Sequence, residues 1–246
     1  MKPSDARLRR TRGQRGAVLL ILLAILALAG SSLLMSAFSA GNPHARREQQ
    51  TMMLLAQAKD ALAGFAAVNG RLPLPAASAL DGLERRTPCS SDADCTGFLP
   101  WAALGIDGAD AWGQRLRYSV TPALTTYAYA ASTAVANRTV QTRDADGALR
   151  YLAGGPACSV EAQCAPFVVL SHGRYNFGVS EAGIARANAA AGNDDEADNA
   201  EQALHFISRP ATADPQHAGG SFDDLVAWLP LDLLYRRMRA ARTLPN

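Results

Sequence analysis

The sequence has no His-Glu-x-x-His pair, no Gly-x-Ser-x-Gly elbow, no redox Cys-x-x-Cys and no glycine-rich phosphate cradle. Those absences remove the common signatures of zinc proteases, α/β-hydrolases, thiol oxidoreductases and nucleotide-binding enzymes. Four histidines remain, His44, His172, His205 and His217. His172 directly follows Ser171, but adjacency in sequence does not make a catalytic pair, and His172 reads as a satisfied turn residue. No internal repeat is present, and no heptad run is long enough for a free coiled coil. Aromatic residues are only 7% of the chain, which suits a helix-rich domain with a modest core. Excess charge is also scarce: the formal net charge is +2. Much of the basic surplus is the cluster Arg7, Arg9, Arg10, Arg12 and Arg15, and the remainder is close to neutral. A nucleic-acid partner is therefore not expected.

What is present begins at Ala17. From there to Ala40 the chain carries no charged residue. As a helix this run would be about 36 Å long, enough for a hydrocarbon core of about 30 Å. A helix suits lipid because it satisfies its own backbone donors and acceptors. The basic cluster before it predicts a cytoplasmic N-terminus with everything after it outside. Three fates are open for the segment. Ala37-Phe38-Ser39 could direct signal cleavage before Ala40, the segment could remain a plain anchor, or it could be an assembly helix.

That sidedness bears on the cysteines. Cys89 and Cys95, and likewise Cys158 and Cys164, are separated by five residues within each pair. In an oxidising space such pairs usually become disulfides, and of three connectivities the two local ones are favoured. Zinc is the rival, but the spacing is not that of a zinc knuckle and no His flanks either pair.

The organisation expected along the chain is a basic leader (1–16), a transmembrane segment (17–40), an amphipathic helix (41–70) and a globular domain (71–246). Leu54, Ala58, Ala61, Phe65 and Val68 form the expected apolar stripe of the amphipathic helix. Gly70 would stop it, and Pro73 and Pro75 forbid continuation. A loop follows to Gly97, and a short segment surrounds Leu104. After the turn at Gly113, Arg115 to Val120 alternates like a half-exposed strand. Thr126 to Ala130 and Thr139 to Arg143 are weaker strands. Asp144-Ala145-Asp146-Gly147 reads as a hairpin turn into Leu149 to Leu152, and Phe167-Val168-Val169-Leu170 as a fully buried strand. Ala185 to Glu201 reads as a loop. Ser221 is expected to cap a helix carrying Asp223 and Asp224 in its first turn, with Pro230 dividing it from Leu231 to Ala241.

The acidic run Asn193-Asp194-Asp195-Glu196-Ala197-Asp198-Asn199 has two readings. One is a solvated loop. The other is a calcium site built from hard oxygen donors, although the EF-hand order is missing.

Four features together resemble the type IV pilin-like proteins, in particular the pseudopilins of type II secretion. They are Arg15-Gly16 running straight into the apolar segment, Leu55-Ala56-Gln57-Ala58-Lys59-Asp60-Ala61-Leu62, Asp110-Ala111-Trp112-Gly113-Gln114-Arg115-Leu116-Arg117-Tyr118, and Leu170-Ser171-His172-Gly173 followed by the acidic run and Phe222 to Trp228. Family members usually begin the mature chain with Phe or Met and carry Glu five residues in. Here Ala17 and Ile21 occupy those positions, as in a tip-type minor pseudopilin. The resemblance implies an α+β fold with a long N-terminal helix, its first half transmembrane and its second half packed on a small antiparallel sheet, with disulfide-bonded loops and C-terminal helices. It implies cleavage by prepilin peptidase between Gly16 and Ala17, N-methylation of the new terminus, and a single-pass inner-membrane protein with a periplasmic domain. Its partners would be other pilin-like subunits contacted through the N-terminal helix. It implies no catalytic residue, structural roles for Trp112, Gly113 and Trp228, and calcium as the one cofactor, held by Asp194, Asp195, Glu196 and Asp198 with Asp223 and Asp224 as distant donors. The alternative is a signal-anchored or secreted periplasmic domain that binds a ligand or carries unrecognised activity.

Overall fold

The computed structural model describes Ile25 and residues 43–126, 135–159 and 162–244. The chain divides into two compact units, Met1–Arg46 and Arg47–Asn246. Gly16, Ala17 and the rest of the expected leader and transmembrane segment lie outside the described residues, as does most of the weak strand at Thr126 to Ala130. No helix among the described residues is long and apolar enough to cross a membrane.

The first helix lying wholly within the described residues, α1, runs from Pro43 to Asn69. Pro at a helix start loses nothing, because that N–H has no intrahelical acceptor. Gly70 ends the helix in the left-handed region at φ 68°, where glycine carries no Cβ penalty. The buried stripe differs from the expected one. Thr51, Leu55, Ala58, Leu62, Ala63 and Ala66 are buried, whereas Val68 is 79% exposed and Leu54, Ala61 and Phe65 are only half-buried. The segment is apolar over more than one face, so period alone left its rotation undetermined. The core decides it: Leu55, Ala58, Leu62, Ala63 and Ala66 all join the buried cluster that holds Tyr118 and Phe167 of the sheet.

The domain from Arg47 is layered. Four antiparallel strands form the central sheet in the order β1-β2-β5-β7: β1 (Thr96–Phe98), β2 (Arg117–Val120), β5 (Phe167–Ser171) and β7 (Leu225–Trp228). Phe167 to Leu170 is fully buried as expected, because both faces of β5 are covered. Tyr118, Val120, Phe167 and Val169 join one core with α1 and the C-terminal helix α4 (Leu231–Ala240). Val168 and Leu170 point the other way into a second core with Val140 and Phe206. That core belongs to a three-stranded sheet ordered β4-β3-β6, from β3 (Thr139–Arg143), β4 (Leu149–Ala153) and β6 (His205–Ile207). The expected hairpin joins β3 to β4, and β6 pairs parallel to β3. A short helix, α2 (Trp101–Leu104), occupies the segment around Leu104.

Three expectations are corrected. Strand β2 is not half-exposed. Ser119, on the side expected to face solvent, is buried and donates to Ala203 O (2.9 Å) while accepting from Arg138 Nε (2.8 Å). Residues 194–201 are helix α3 rather than loop, since Asp194, Asp195 and Glu196 fill a first turn where negative charge meets the helix dipole. The expected helix from Ser221 is instead strand β7, because Leu-Val-Ala-Trp alternates across β5 in the register Ser171↔Leu225 to Val168↔Trp228. Trp228 is half-buried there, on the side of the second core. Only one C-terminal helix follows, with Leu231, Leu234, Tyr235 and Met238 inward.

Both local disulfides are formed, Cys89–Cys95 with Cα atoms 5.2 Å apart and Cys158–Cys164 at 5.5 Å. The first closes a loop whose Asp92 pairs at 2.6 Å with Arg138, a guanidinium fully buried between the sheets. Arg138 also donates to Asn137 Oδ1 and to Val120 O. The loop thereby supplies the counter-charge that a buried cation requires, while Asn137 and β2 supply the remaining acceptors.

Candidate metal centre

The acidic run does not act as one cluster. Asp194 and Asp198 face solvent. Asp195 turns into the protein and is held by Arg143 and Arg209, both at 2.7 Å. Its charge is already balanced there, and it stands outside the group of converging carboxylates. Glu196, one residue on, points instead toward the turn before β7, where its carboxylate, Asp223 and Asp224 each offer an oxygen within 4.8 Å of the others. Of the six sequence-predicted donors, the fold brings these three together. Helix α3 explains the split, because successive residues of a helix point about 100° apart.

Asparagines hold Glu196 and Asp224 in place, and a backbone N–H holds Asp223. Asn176 and Asn193 donate to Glu196 Oε2 at 2.9 and 2.7 Å, and the Asp223 N–H donates to Glu196 Oε1 at 2.9 Å. Asn199, fully buried, donates to Asp224 Oδ2 (2.9 Å) and to Ile207 O, and accepts from Ile207 N. It thereby ties the acid to β6. The Arg174 N–H donates to Asp223 Oδ2 at 2.7 Å. Gly173, at φ 63°, passes so close to Asp223 that a side chain there would overlap it. Two oxygens, Asp223 Oδ1 and Asp224 Oδ1, are buried without a hydrogen-bond partner. His172 Nδ1 stands 3.4 Å from the second of them.

The electrostatics follow from this packing. Burial pushes the Asp223 carboxyl up to about 7; the Arg174 N–H opposes the rise, and Glu196 and Asp224 add to it. Burial also raises Asp224, against the lowering effects of His172 and the Asn199 bond. Three carboxylates at this separation cannot all stay ionised without a counter-charge, so the site takes up either protons or a cation. Its donors are all oxygen, which favours calcium or magnesium over thiolate- and imidazole-loving metals. The two oxygens without partners are the ones free to turn to an ion, so the residues present fit calcium. Sequence reasoning found the carboxylates within a run bounded by Asn193 and Asn199, but gave those amides no positioning role and did not name Asn176. Amides bonding within a fold carry no pattern in a single chain.

The expected structural pair divides as well. Gly113 holds its turn at φ 76°, with its N–H on Asp110 O at 2.9 Å. Trp112, expected to be buried under the sheet, is only half-buried, and its buried Nε1 has no partner. The turn is organised by Asp110, which the sequence did not single out. Its Oδ1 accepts from Trp112 N and Gln114 N, both at 2.9 Å. Its Oδ2 accepts from Ser171 Oγ at 2.5 Å. His172 sits in the turn after β5, 4% exposed.

Comparison with family models, with curated proteins and with solved structures finds no match to this chain.

Proposed function

We propose that this chain is a non-enzymatic, pilin-like subunit of a type II secretion or type IV pilus-like filament. In this reading 17–40 anchors it in the inner membrane, prepilin peptidase cuts after Gly16, and the domain from Arg47 stands in the periplasm. The observation that carries the proposal is α1. It directly follows the uncharged run, buries one stripe in the core of its own domain, and leaves the large apolar side chains of Met52, Met53 and Val68 exposed. That geometry suits a helix that meets neighbouring subunits while its own domain holds the opposite face. Two closed disulfides accord with an oxidising compartment. Assembly would exchange lipid around 17–40 for the helices of neighbours, a move needing little net hydrophobic gain because the two surroundings are similarly apolar. Calcium at Glu196, Asp223 and Asp224 would brace the turn that launches β7 against α3.

The N-terminal residue of the mature protein, read from membranes of the expressing bacterium, tests the proposal. Ala17 is expected. Ala40 would make the chain a secreted domain, and an intact Met1 a plain signal-anchored one.

A further inference from the structure

We propose that the cavity lined by β1, β2 and the loop 177–186 binds a small organic anion, a carboxylate carried on a flat apolar body. The cavity has a volume of about 330 Å³, within the usual range for small-molecule sites. Arg115, Arg117 and Arg186 all line it. Elsewhere in the domain the buried or half-buried guanidiniums of Arg71, Arg138, Arg143 and Arg209 each meet a carboxylate within 4.0 Å, and half-buried Arg85 bonds the Asp94 carbonyl from outside any such cluster. Among the described residues these three meet no carboxylate within that distance, and they stand together. Arg115 spends Nε on Ala79 O (2.8 Å) and stacks on the Trp101 ring at 4.0 Å. Arg117 gives Nη2 to Gln202 O (2.8 Å), and its Nε is buried with no acceptor. Arg186 gives Nη1 to Arg174 O. Exposed Glu201 is the one acid of the lining, so against it the three arginines leave a formal surplus of two positive charges.

Guanidinium forks pair bidentately with planar oxyanions, and a partly desolvated wall strengthens the bond. Burial lowers Arg117 to about 10, with Asp224 acting in the opposite direction, so it remains charged at neutral pH. The rest of the lining is apolar. Phe98, opposite Arg117 in the β1–β2 register, Phe177 and Val179 offer surface to a ring rather than to water. Phe177 holds a left-handed backbone, φ 57°, a strained conformation for a bulky residue and one that concentrates at binding sites. The apolar surface is what separates an aromatic carboxylate from a bare inorganic anion.

The test is a ligand-observed NMR titration of the purified full-length chain in a non-ionic detergent, with benzoate, its neutral isostere benzamide, and inorganic phosphate as probes. Saturable benzoate binding is expected at a dissociation constant of about 1 mM or below, with phosphate weaker and benzamide not saturating. Arg117→Gln should weaken benzoate about tenfold and Arg186→Gln severalfold, while Arg237→Gln on α4 should leave it unchanged. Should Arg117→Gln fail to fold, the half-buried loop residue Arg186 decides the matter. Benzamide binding as well as benzoate, phosphate binding in preference to it, no saturation by benzoate up to about 10 mM, or full affinity in Arg186→Gln would each overturn the proposal. None of these results depends on how the N-terminus is processed.

Discussion

Asp195 and Glu196 are adjacent in sequence and almost completely buried, yet they face opposite surroundings. Asp195 lies between the guanidiniums of Arg143 and Arg209; Glu196 faces two further carboxylates, Asp223 and Asp224. One residue of helical rotation thus separates a neutralised acid from an unneutralised one, and the two should respond differently to mutation and to metal.

Asp195→Ala removes the counter-charge of buried Arg209 and half-buried Arg143 and should destabilise the domain by roughly 3 to 5 kcal/mol. The loss should be the same in calcium and in chelator. Glu196→Gln keeps the shape of the site and removes a ligand, so it should abolish any calcium-dependent rise in melting temperature. Chemical denaturation of both variants in each buffer makes the comparison. A calcium response lost in Asp195→Ala and kept in Glu196→Gln would reverse the assignment.

The pH dependence has a definite sign. Asp223 is raised to about 7 and Asp224 is raised also, so the folded chain holds protons that the unfolded chain releases. Stability from these groups is fully present below the unfolded value of 3.8 and is lost as pH rises through about 7. In chelator the melting temperature should therefore fall between pH 5 and pH 8 (about 5 and 8, on either side of most of that titration). Calcium replaces the protons, so it should remove most of that fall and stabilise more at the higher pH. At a hundredfold excess over its dissociation constant the gain should be about 2.7 kcal/mol. Calcium and chelator curves that coincide across the range would leave the cluster as a proton-binding structural acid site.

Which parts were legible in the sequence follows from range. The two disulfides, the Asp144–Gly147 turn and the β5 run are local, and each is visible within a few residues. Helix α1 was visible by period, but its rotation depends on what it packs against. Strand β7 and helix α3 were misread because both carry acids next to apolar residues, a pattern that serves a loop, a helix start or a strand end. What selects among them is a distant partner: β5 for Leu225 to Trp228, and Arg143, Arg209 and Ile207 for α3. The metal-site candidates were readable as a pool of carboxylates. Which three converge was decided by the tertiary fold.

The rotation of α1 can be checked by two substitutions of similar chemistry. Leu62 is fully buried against the central sheet and Val68 is 79% exposed. Leu62→Ala should cost roughly 2 to 5 kcal/mol through lost transfer energy and a residual cavity. Val68→Ala should stay within about 0.5 kcal/mol. Equilibrium urea denaturation gives both values. A larger loss at Val68 would restore the stripe through Leu54, Ala61 and Phe65.

The last prediction concerns the turn before β2. If Trp112 anchored the core, Trp112→Ala would rank with the costliest substitutions in the domain, at roughly 3 to 5 kcal/mol. Its half-buried position predicts less, about 1 to 2 kcal/mol by area removed from water. Asp110 should matter more. It is 5% exposed, satisfies two backbone N–H groups of the turn, and receives the Ser171 hydroxyl from β5. Asp110→Ala leaves those donors buried without acceptors, at about 1 to 3 kcal/mol each. Asp110→Asn keeps one acceptor oxygen and should lie between the wild type and the alanine variant. Because burial raises the Asp110 carboxyl, its contribution fades as pH climbs through that raised value, so the gap between wild type and Asp110→Asn should narrow toward alkaline pH. Denaturation of the three variants at two pH values reads all of this, and a Trp112→Ala loss exceeding that of Asp110→Ala would return the turn to its tryptophan.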